Sequence, residues 1–272
     1  MKFLKFLVVL TIGITCCMNF TSCSNEEDEP DSGVVGNGTV NPATVFANGI
    51  PQKVGGMNLT VNSDGLVSAL TDGSVKVTFE YPCMSRANEA DVIMNVSDEE
   101  GDRVIYVTLN DLGYSKYWKR VYDDGDVDEY WFEYNSDRKL NAINIATNWG
   151  EDGAIKFSYD KGNIVNVEMF THSISSVRGS LSYGSSPIKN IGGVMIFTMF
   201  GIDDCDMQYS YYAGLLGKAT SSLPIKLEGH DLDGFVVEEY TWYIDDKELP
   251  TKLTTKYTDS DYSDTEDMYF VW

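Results

Sequence analysis

Residues 132–143 read Phe132-Glu-Tyr-Asn-Ser-Asp-Arg-Lys-Leu-Asn-Ala-Ile143, and residues 157–167 read Phe157-Ser-Tyr-Asp-Lys-Gly-Asn-Ile-Val-Asn-Val167. Each stretch alternates apolar and polar residues, passes through a polar turn and continues into a second short run. Partial copies occupy residues 61–70 and 243–249. A strand, a tight turn and a second strand form a β-hairpin, and a single hairpin is only marginally stable. The weak repeat therefore predicts several hairpins that pair side by side in one sheet.

The same signal extends over most of the remaining chain. Short runs rich in β-branched and aromatic residues occupy residues 59–61, 75–81, 92–96, 104–109, 130–134, 155–159, 240–244, 253–257 and 268–272. Turn compositions such as Asn-Ser-Asp-Gly and Asp-Asp-Gly-Asp separate them. We therefore predict a mainly β protein, built as a large antiparallel meander that forms a curved sheet or an incomplete barrel of successive hairpins.

Residues 191–223 are the exception, because they lose the two-residue alternation. A helical spacing of four residues links Met207, Tyr211, Leu215 and Ala219. Asp203 and Asp204 provide N-cap chemistry before this stretch, and Pro224 follows it. The pattern predicts one or two helices packed on the sheet as core, within a single domain over residues 45–272.

The amino terminus has the features of a secretory signal. Lys2 and Lys5 precede the apolar run of residues 6–14, which is too short to span a bilayer. Phe20-Thr-Ser-Cys23 resembles the lipobox of bacterial lipoproteins, in a variant with Phe20 at the aliphatic position. We therefore predict a signal peptide over residues 1–22 and lipidation of Cys23. Lipidation at Cys16 or Cys17, or an ordinary signal without lipid, are the alternatives.

Residues 23–44 are predicted to form a flexible acidic tether. Residues 26–29 are all acidic, and the stretch up to about residue 41 is rich in Gly, Ser, Asn and Pro. The acidic cluster is similar to the export signal of Bacteroidetes lipoproteins that reach the outer leaflet of the outer membrane. We expect an outer-membrane, surface-exposed protein; a periplasm-facing protein with a merely solvated linker is the alternative.

Charge excludes some classes of partner. The chain has a net charge of −22, and loss of residues 1–22 removes two lysines and no acid, which gives −24. Such a surface repels nucleic-acid phosphates and anionic lipid headgroups. We therefore expect no nucleic-acid partner, a membrane contact only through the lipid, and an extracellular glycan or protein as the ligand.

The sequence contains no evident catalytic constellation. Its two histidines, His172 and His230, lie in unrelated contexts, and we find no nucleophile-elbow or phosphate-binding glycine motif. Carboxylate pairs are abundant, so a two-acid glycosidase is not excluded, but most of these acids lie in turns. We predict a non-enzymatic protein without a cofactor. Cys83 and Cys205 fit no metal-ligand spacing and are either a disulfide or two buried thiols.

Calcium is a weaker hypothesis. Asp124, Asp126 and Asp128 alternate like the first ligands of a calcium loop, but Glu129 and Asn135 stand where the loop requires Gly and Glu. A second acid-rich loop contains Asp259, Asp261, Asp264 and Glu266. A solvated turn is the simpler interpretation of both.

Aromatic residues are the leading candidates for ligand contacts. Tyr117 and Trp118 lie in an aromatic-rich stretch over residues 114–122, and Tyr130 and Trp131 follow it in a strand-like run. Because alternate residues of a strand share one face, Trp131 lies on the face opposite Tyr130. At least one large aromatic ring therefore points away from any single core and could stack on a sugar ring. A sheet covered on both faces is the alternative.

Together, these features resemble an uncharacterised Bacteroidetes lipoprotein domain family, described as a domain of unknown function with a porin-like fold. The resemblance rests on the lipobox, the acidic tether, the Phe-x-Tyr-Asn-Ser-Asp hairpin, the terminal Tyr-Thr-Trp-Tyr strand and the block Tyr211-Tyr-Ala-Gly-Leu-Leu-Gly-Lys-Ala-Thr220. It covers residues 45–272 and implies a large antiparallel sheet and export, but no site residues. The hairpins are also similar to the tyrosine–aspartate repeats of bacterial surface proteins.

Three functions remain open at this point. The first is glycan or partner binding on a sheet face. The second is envelope or fimbrial assembly through a free edge strand at residues 268–272. The third is transport of a hydrophobic ligand in a cavity lined by Met195, Phe197, Met199 and Leu216.

Overall fold

Sixteen antiparallel strands close into a barrel in the computed structural model, which describes residues 38–82, 90–148, 150, 152–171, 174–202, 204–230 and 234–272. In chain order, the strands are β1 (Lys53–Val54), β2 (Met57–Val61), β3 (Val67–Asp72), β4 (Val75–Glu80), β5 (Val92–Asp98), β6 (Gly101–Leu109), β7 (Ser115–Tyr122), β8 (Val127–Tyr134), β9 (Leu140–Thr147), β10 (Gly153–Asp160), β11 (Asn163–Thr171), β12 (Ile174–Ser182), β13 (Ile188–Lys189), β14 (Ser222–Leu223), β15 (Lys226–His230), β16 (Phe235–Ile244), β17 (Pro250–Thr258) and β18 (Ser263–Val271). Strands that are consecutive in sequence pair with each other, except that β12 pairs with β15 and that β13 and β14 form a separate pair.

The predicted β class is confirmed, whereas the predicted open sheet or incomplete barrel is wrong. Closure depends on the two-residue strand β1, in which Val54 pairs with both Phe270 of β18 and Met57 of β2. The end of β18 consequently lies between two strands, β1 and β17. The free edge that an assembly role would require at residues 268–272 is therefore not present.

A recurrent tyrosine explains the repeat. Near the ends of the alternate strands β8, β10 and β12, the hydroxyl of a tyrosine donates to the carbonyl oxygen 19 residues earlier in the chain. The bonds run from Tyr134 to Ser115 (2.9 Å), from Tyr159 to Leu140 (2.7 Å) and from Tyr183 to Ile164 (2.7 Å). Each bond joins the end of one strand to the start of the strand before it, and so closes the open end of the β7–β8, β9–β10 or β11–β12 pair. Tyr134 and Tyr159 are the third residues of the two Phe-x-Tyr units.

The turns at this end of the barrel share one hydrogen-bond scheme. Asn135 Oδ1 accepts from the backbone N–H groups of Asp137 (3.0 Å) and Lys139 (3.1 Å). Asp245 accepts from the N–H groups two and four residues later in the same way. Asn and Asp favour turns because their side chains replace a missing backbone acceptor. The sequence similarity between residues 132–143 and 243–249 therefore reflects a shared turn geometry.

The amino-terminal residues of the described chain pack against the barrel. Val40 and Phe46 are buried, and a short 3₁₀ turn spans Pro42–Thr44. Gly38 approaches the turn before β7 so closely that a Cβ atom on it would lie 1.8 Å from the carbonyl oxygen of Asn110. Residues 38–44, which the sequence assigns to the tether, thus belong to the packed part of the domain.

Two glycines provide a test of this docking. Gly65 and Gly113 occupy equivalent turn positions with φ of 79° and 78°. A Cβ on Gly113 would lie 2.2 Å from the carbonyl oxygen of Thr39, whereas a Cβ on Gly65 meets nothing within 4 Å. We expect Gly65→Ala to cost about 1 kcal/mol of unfolding free energy, through backbone strain alone. Gly113→Ala should cost roughly 2 kcal/mol more, because steric overlap is added. Urea denaturation measures both; equal losses would contradict the docking of residues 38–40.

Residues 190–202 and 204–224, which we call the plug, lie inside the barrel. They contain a 3₁₀ turn over Phe197–Phe200 and one α-helix, α1, over Cys205–Tyr212. Their contacts reach strands from different parts of the wall. The plug meets β5 through Met94 and Ser210 (3.6 Å), β10 through the rings of Phe157 and Phe200 (6.4 Å apart), and β16 through Tyr240 Oη and the Met199 carbonyl (3.1 Å).

The helix prediction is therefore corrected in two respects. The helical stretch packs within the closed wall rather than on an open sheet. It also ends at Tyr212, although the four-residue spacing continues to Ala219. Gly214 has a φ of 85°, and Pro42 lies so near that a Cβ on this glycine would be 3.0 Å from the proline Cα atom. The predicted cap is confirmed at Asp204, whose side chain accepts from the backbone N–H of Asp206 at 3.0 Å.

The plug fills the space that a hydrophobic-ligand carrier would need. Met195, Phe197, Met199 and Leu216 are each less than 5 % exposed and belong to one packed core with the inward-facing strand residues. The ring of Phe197 lies 6.5 Å from that of Phe200 and 6.1 Å from that of Tyr211. The cavity hypothesis is therefore wrong for these residues.

Among the described residues, no helix is long and apolar enough to cross a membrane.

Candidate functional site

The four aromatic candidates lie on β7 and β8 and divide between the two faces of the wall. Trp118 and Tyr130 pair across the strands and face inward, where they are 0 % and 2 % exposed. Tyr117 and Trp131 form the next pair and face outward. The prediction that Tyr130 and Trp131 lie on opposite faces is thus confirmed. Trp118 and Tyr130 are core residues and cannot contact a ligand in this fold.

Tyr117 and Trp131 form a compact pair on the outer wall, which we call the aromatic platform. Their ring centroids lie 5.6 Å apart at an angle of 51°, and Trp131 is 41 % exposed. The Tyr117 hydroxyl donates to Glu129 Oε1. Burial and this carboxylate raise the pKa of Tyr117 to about 12, so the phenol stays neutral. Packing against the neighbouring ring and this hydrogen bond restrain both side chains and leave one face of the tryptophan open to solvent.

The rest of the outer wall carries charged residues and further exposed rings, among them Tyr106, Tyr243 and Tyr269. Exposed cross-strand ion pairs connect Arg178 with Glu168 (3.2 Å), Lys252 with Asp267 (2.9 Å) and Lys256 with Glu239 (3.3 Å). Such pairs contribute little to stability, but they mark the face that is directed toward water. The apolar residues of the same strands point inward and form the core. The aromatic platform is therefore one of several exposed apolar features on a wall that also carries ion pairs.

A second concentration of functional groups lies inside the barrel, at the tip of the plug. The Asp206 carboxylate accepts from Arg103 Nε (2.8 Å) and Nη2 (2.8 Å) and from Arg120 Nη1 (3.0 Å). Arg103 also binds Asp98 through two further bonds (2.9 and 2.8 Å). Arg120 continues to Asp128 (2.9 Å) and to Asp204 (3.1 Å). We call these six side chains the ion cluster.

Burial and charge act against each other in the ion cluster. Burial raises the pKa of Asp206, while the hydrogen bond from Arg103 opposes this rise. At Asp98, burial also tends to raise the pKa, but hydrogen bonds from Arg103 and from the backbone outweigh it and lower the pKa below its usual value. Each of the four carboxylates contacts at least one of the two guanidinium groups, and these contacts bind the start of α1 to β6 and β7, although Arg120 Nε and Asp128 Oδ1 make no hydrogen bond. The alternation of the sequence could have indicated the ion cluster, because Arg103 and Arg120 occupy inward positions that are otherwise apolar or aromatic in β6 and β7.

The acidic residues proposed for calcium are used in other ways. Asp124 accepts from the backbone N–H of Asp126 (3.0 Å), and Asp126 accepts from the Asn148 amide (2.8 Å). Asp128 faces inward and binds Arg120. In the second loop, Asp259 accepts from the N–H groups of Asp261 and Tyr262. Within the part of the chain that the structure describes, no three His, Cys, Asp or Glu side chains converge as a metal site would require.

The structure describes some of the remaining candidate residues and not others. His230 is exposed on β15, with its ring 5.1 Å from that of Phe235. Cys205 begins α1 and is exposed. Cys23, Cys83, His172 and Asp203 lie outside the described residues. Lipidation and the pairing of the two cysteines of the domain therefore stay predictions.

Comparison with known proteins adds the family and the fold. A search of curated protein sequences finds no match. Among solved structures, a porin-like protein from Bacteroides uniformis is similar, with a TM-score of 0.62 and 18 % sequence identity over 79 % of this chain and 88 % of that chain. The family model for a domain of unknown function with a porin-like fold matches residues 57–252, which span β2 to β17. The chain therefore belongs to this family of domains with a porin-like fold.

Proposed function

We propose that this protein is an exported, lipid-anchored envelope protein that binds glycan on the outer wall of its barrel and has no enzymatic activity. The observation that carries the proposal is the aromatic platform. An exposed indole ring, restrained by a neighbouring tyrosine, presents a flat apolar surface with polar groups at its border. This combination matches a sugar ring, which has apolar C–H faces and a periphery of hydroxyl groups.

Two further features support a barrel that presents a binding surface to water over a barrel that acts as a membrane channel. The charged outer wall differs from a membrane-spanning barrel, which presents an apolar band to lipid. The plug fills the interior with packed side chains. We infer that the wall is in contact with water and that the barrel is not a conduit. The lipid predicted at Cys23 then supplies the membrane attachment.

Trp131→Ala is expected to abolish most glycan binding without unfolding the protein. Loss of one central aromatic contact should weaken binding about tenfold or more. The unfolding free energy should change by less than about 1 kcal/mol, because the ring is exposed. The measurement is affinity electrophoresis of the full chain in gels that contain hydroxyethyl cellulose, mannan, arabinoxylan, chitosan or polygalacturonate, with urea denaturation in parallel.

The matched control is Tyr243→Ala, which removes an exposed ring (49 %) from β16, on another part of the wall. This variant should keep full retardation in every gel that retards the native chain. Retardation of the native chain by none of the five polysaccharides would contradict glycan binding. Equal effects of the two variants would contradict the assignment to the platform.

A further inference from the structure

A line of outward-facing residues continues from the aromatic platform around the barrel. Trp131 of β8 pairs with Asn144 of β9, Asn144 pairs with Ala154 of β10, and Ala154 pairs with Phe170 of β11. Residues next to them in each strand, such as Ile143 and Ile155, face inward and are buried. The line therefore has an aromatic ring at each end and two small side chains between them.

The spacing along this line suits consecutive sugars. Neighbouring strands lie about 4.8 Å apart, so Trp131 and Phe170 are separated by about 14 Å at the backbone. One strand spacing is close to the length of one sugar unit in an extended polysaccharide. Asn144 and Ala154 are half-buried between taller neighbours, so they leave room for two sugars between the rings.

Resting on the proposed glycan-binding function, we propose that the site extends from the platform to Phe170 and takes about four consecutive units of a linear glycan. Trp131 and Phe170 stack on the outer two sugars. The Asn144 amide, which contacts Glu133 at 3.3 Å, offers hydrogen bonds to the inner ones. Lys156, whose Nζ lies 5.0 Å from the centre of the Phe170 ring, restrains that ring and borders the site.

Charge narrows the class of glycan to neutral chains. Glu129 and Glu133 flank the platform on β8, and Glu168 stands on the strand of Phe170. Lys119, Lys156 and Arg178 stand beside these acids in the register, so the repulsion of an anionic glycan comes from the whole chain, which carries −22. A polyuronate would therefore be repelled, whereas an uncharged chain loses nothing by approaching.

The test is a length series of neutral oligosaccharides. Cello-, manno- and xylo-oligosaccharides of two to eight units are titrated by calorimetry into the full chain in detergent. We expect affinity to rise at least tenfold between two and four units and then to level off. Phe170→Ala should remove this gain and leave the binding of the two-unit sugar unchanged. Ala154→Ile, which fills the space between the rings, should have the same effect.

Thr241→Ile is the matched control, because it places the same side chain on an exposed position of β16. It should leave the length dependence intact. If Trp131→Ala abolishes binding while Phe170→Ala and Ala154→Ile bind like the native chain, the extension is wrong and the platform stands. If polygalacturonate oligomers bind as tightly as neutral ones, the charge argument fails. If Trp131→Ala binds all oligomers normally, the proposed function itself fails.

Discussion

Asp206→Ala is expected to lower the free energy of unfolding by about 3–5 kcal/mol, one of the two largest effects that we anticipate for a single substitution. The carboxylate is fully buried and accepts three bonds from Arg103 and Arg120. Its removal takes the shared buried partner from Arg103 and Arg120, and leaves Arg103 with Asp98 and Arg120 with Asp128 and Asp204. Because Asp206 lies in the first turn of α1, the favourable interaction with the helix dipole is lost as well.

The matched control for Asp206→Ala is Glu239→Ala. Glu239 forms an exposed ion pair with Lys256 at 3.3 Å, and its loss should cost less than about 1 kcal/mol. Urea denaturation of both variants provides the comparison. In the double variant Arg103→Ala with Asp206→Ala, the loss should be smaller than the sum of the single losses, since each single substitution already removes the two Arg103–Asp206 bonds. Similar costs for the buried and the exposed acid would contradict the role of the ion cluster in holding the plug.

Trp118→Ala is expected to destabilise the protein by a comparable amount, about 3–5 kcal/mol. Trp118 is 0 % exposed, with its ring 4.6 Å from that of Phe132 and 5.8 Å from that of Tyr130. Its indole N–H donates to Ser115 Oγ at 2.8 Å. The substitution leaves a cavity between the wall and the plug and removes the partner of a buried hydroxyl group.

Trp131→Ala is the natural comparison, because Trp131 stands on the adjacent strand and faces outward. Thermal and urea unfolding should separate the two variants by at least about 2 kcal/mol. The pair then distinguishes a buried aromatic from an exposed one. A Trp118→Ala protein as stable as the native one would contradict the filled interior, and with it the exclusion of a ligand cavity.

Much of the wall could be predicted from the sequence because its information is local. Alternation assigned Tyr130 and Trp131 to opposite faces, and the Asn-Ser-Asp composition placed a turn after Tyr134. The Asp204 cap of α1 could also be predicted, since a capping side chain needs only the backbone two residues later. Each of these features depends on residues that are close together in the chain.

Features that depend on distant residues could not be predicted in this way. Closure rests on the pairing of Val54 with Phe270, and no local pattern specifies that contact. The four-residue spacing predicts a helix that continues to Ala219, whereas α1 ends at Tyr212. Gly214 interrupts it at the point where Pro42 packs. Phe170 was not among the sequence candidates, since only the register of β8 to β11 places it in line with Trp131.

The sequence by itself determined the β class, the hairpin turns and the alternation that gives each strand two distinct faces. It could not determine which face is the interior, because β7 and β8 carry large aromatic rings on both sides. The tertiary structure decided this by closing the sheet around the plug. In the closed barrel, Trp118 and Tyr130 are buried in the core, as is the ion cluster at the start of α1. Tyr117 and Trp131 face the solvent. Closure determines, for all sixteen strands at once, which face is buried and which is exposed. An aromatic pair is a candidate binding surface only when it lies on the exposed face.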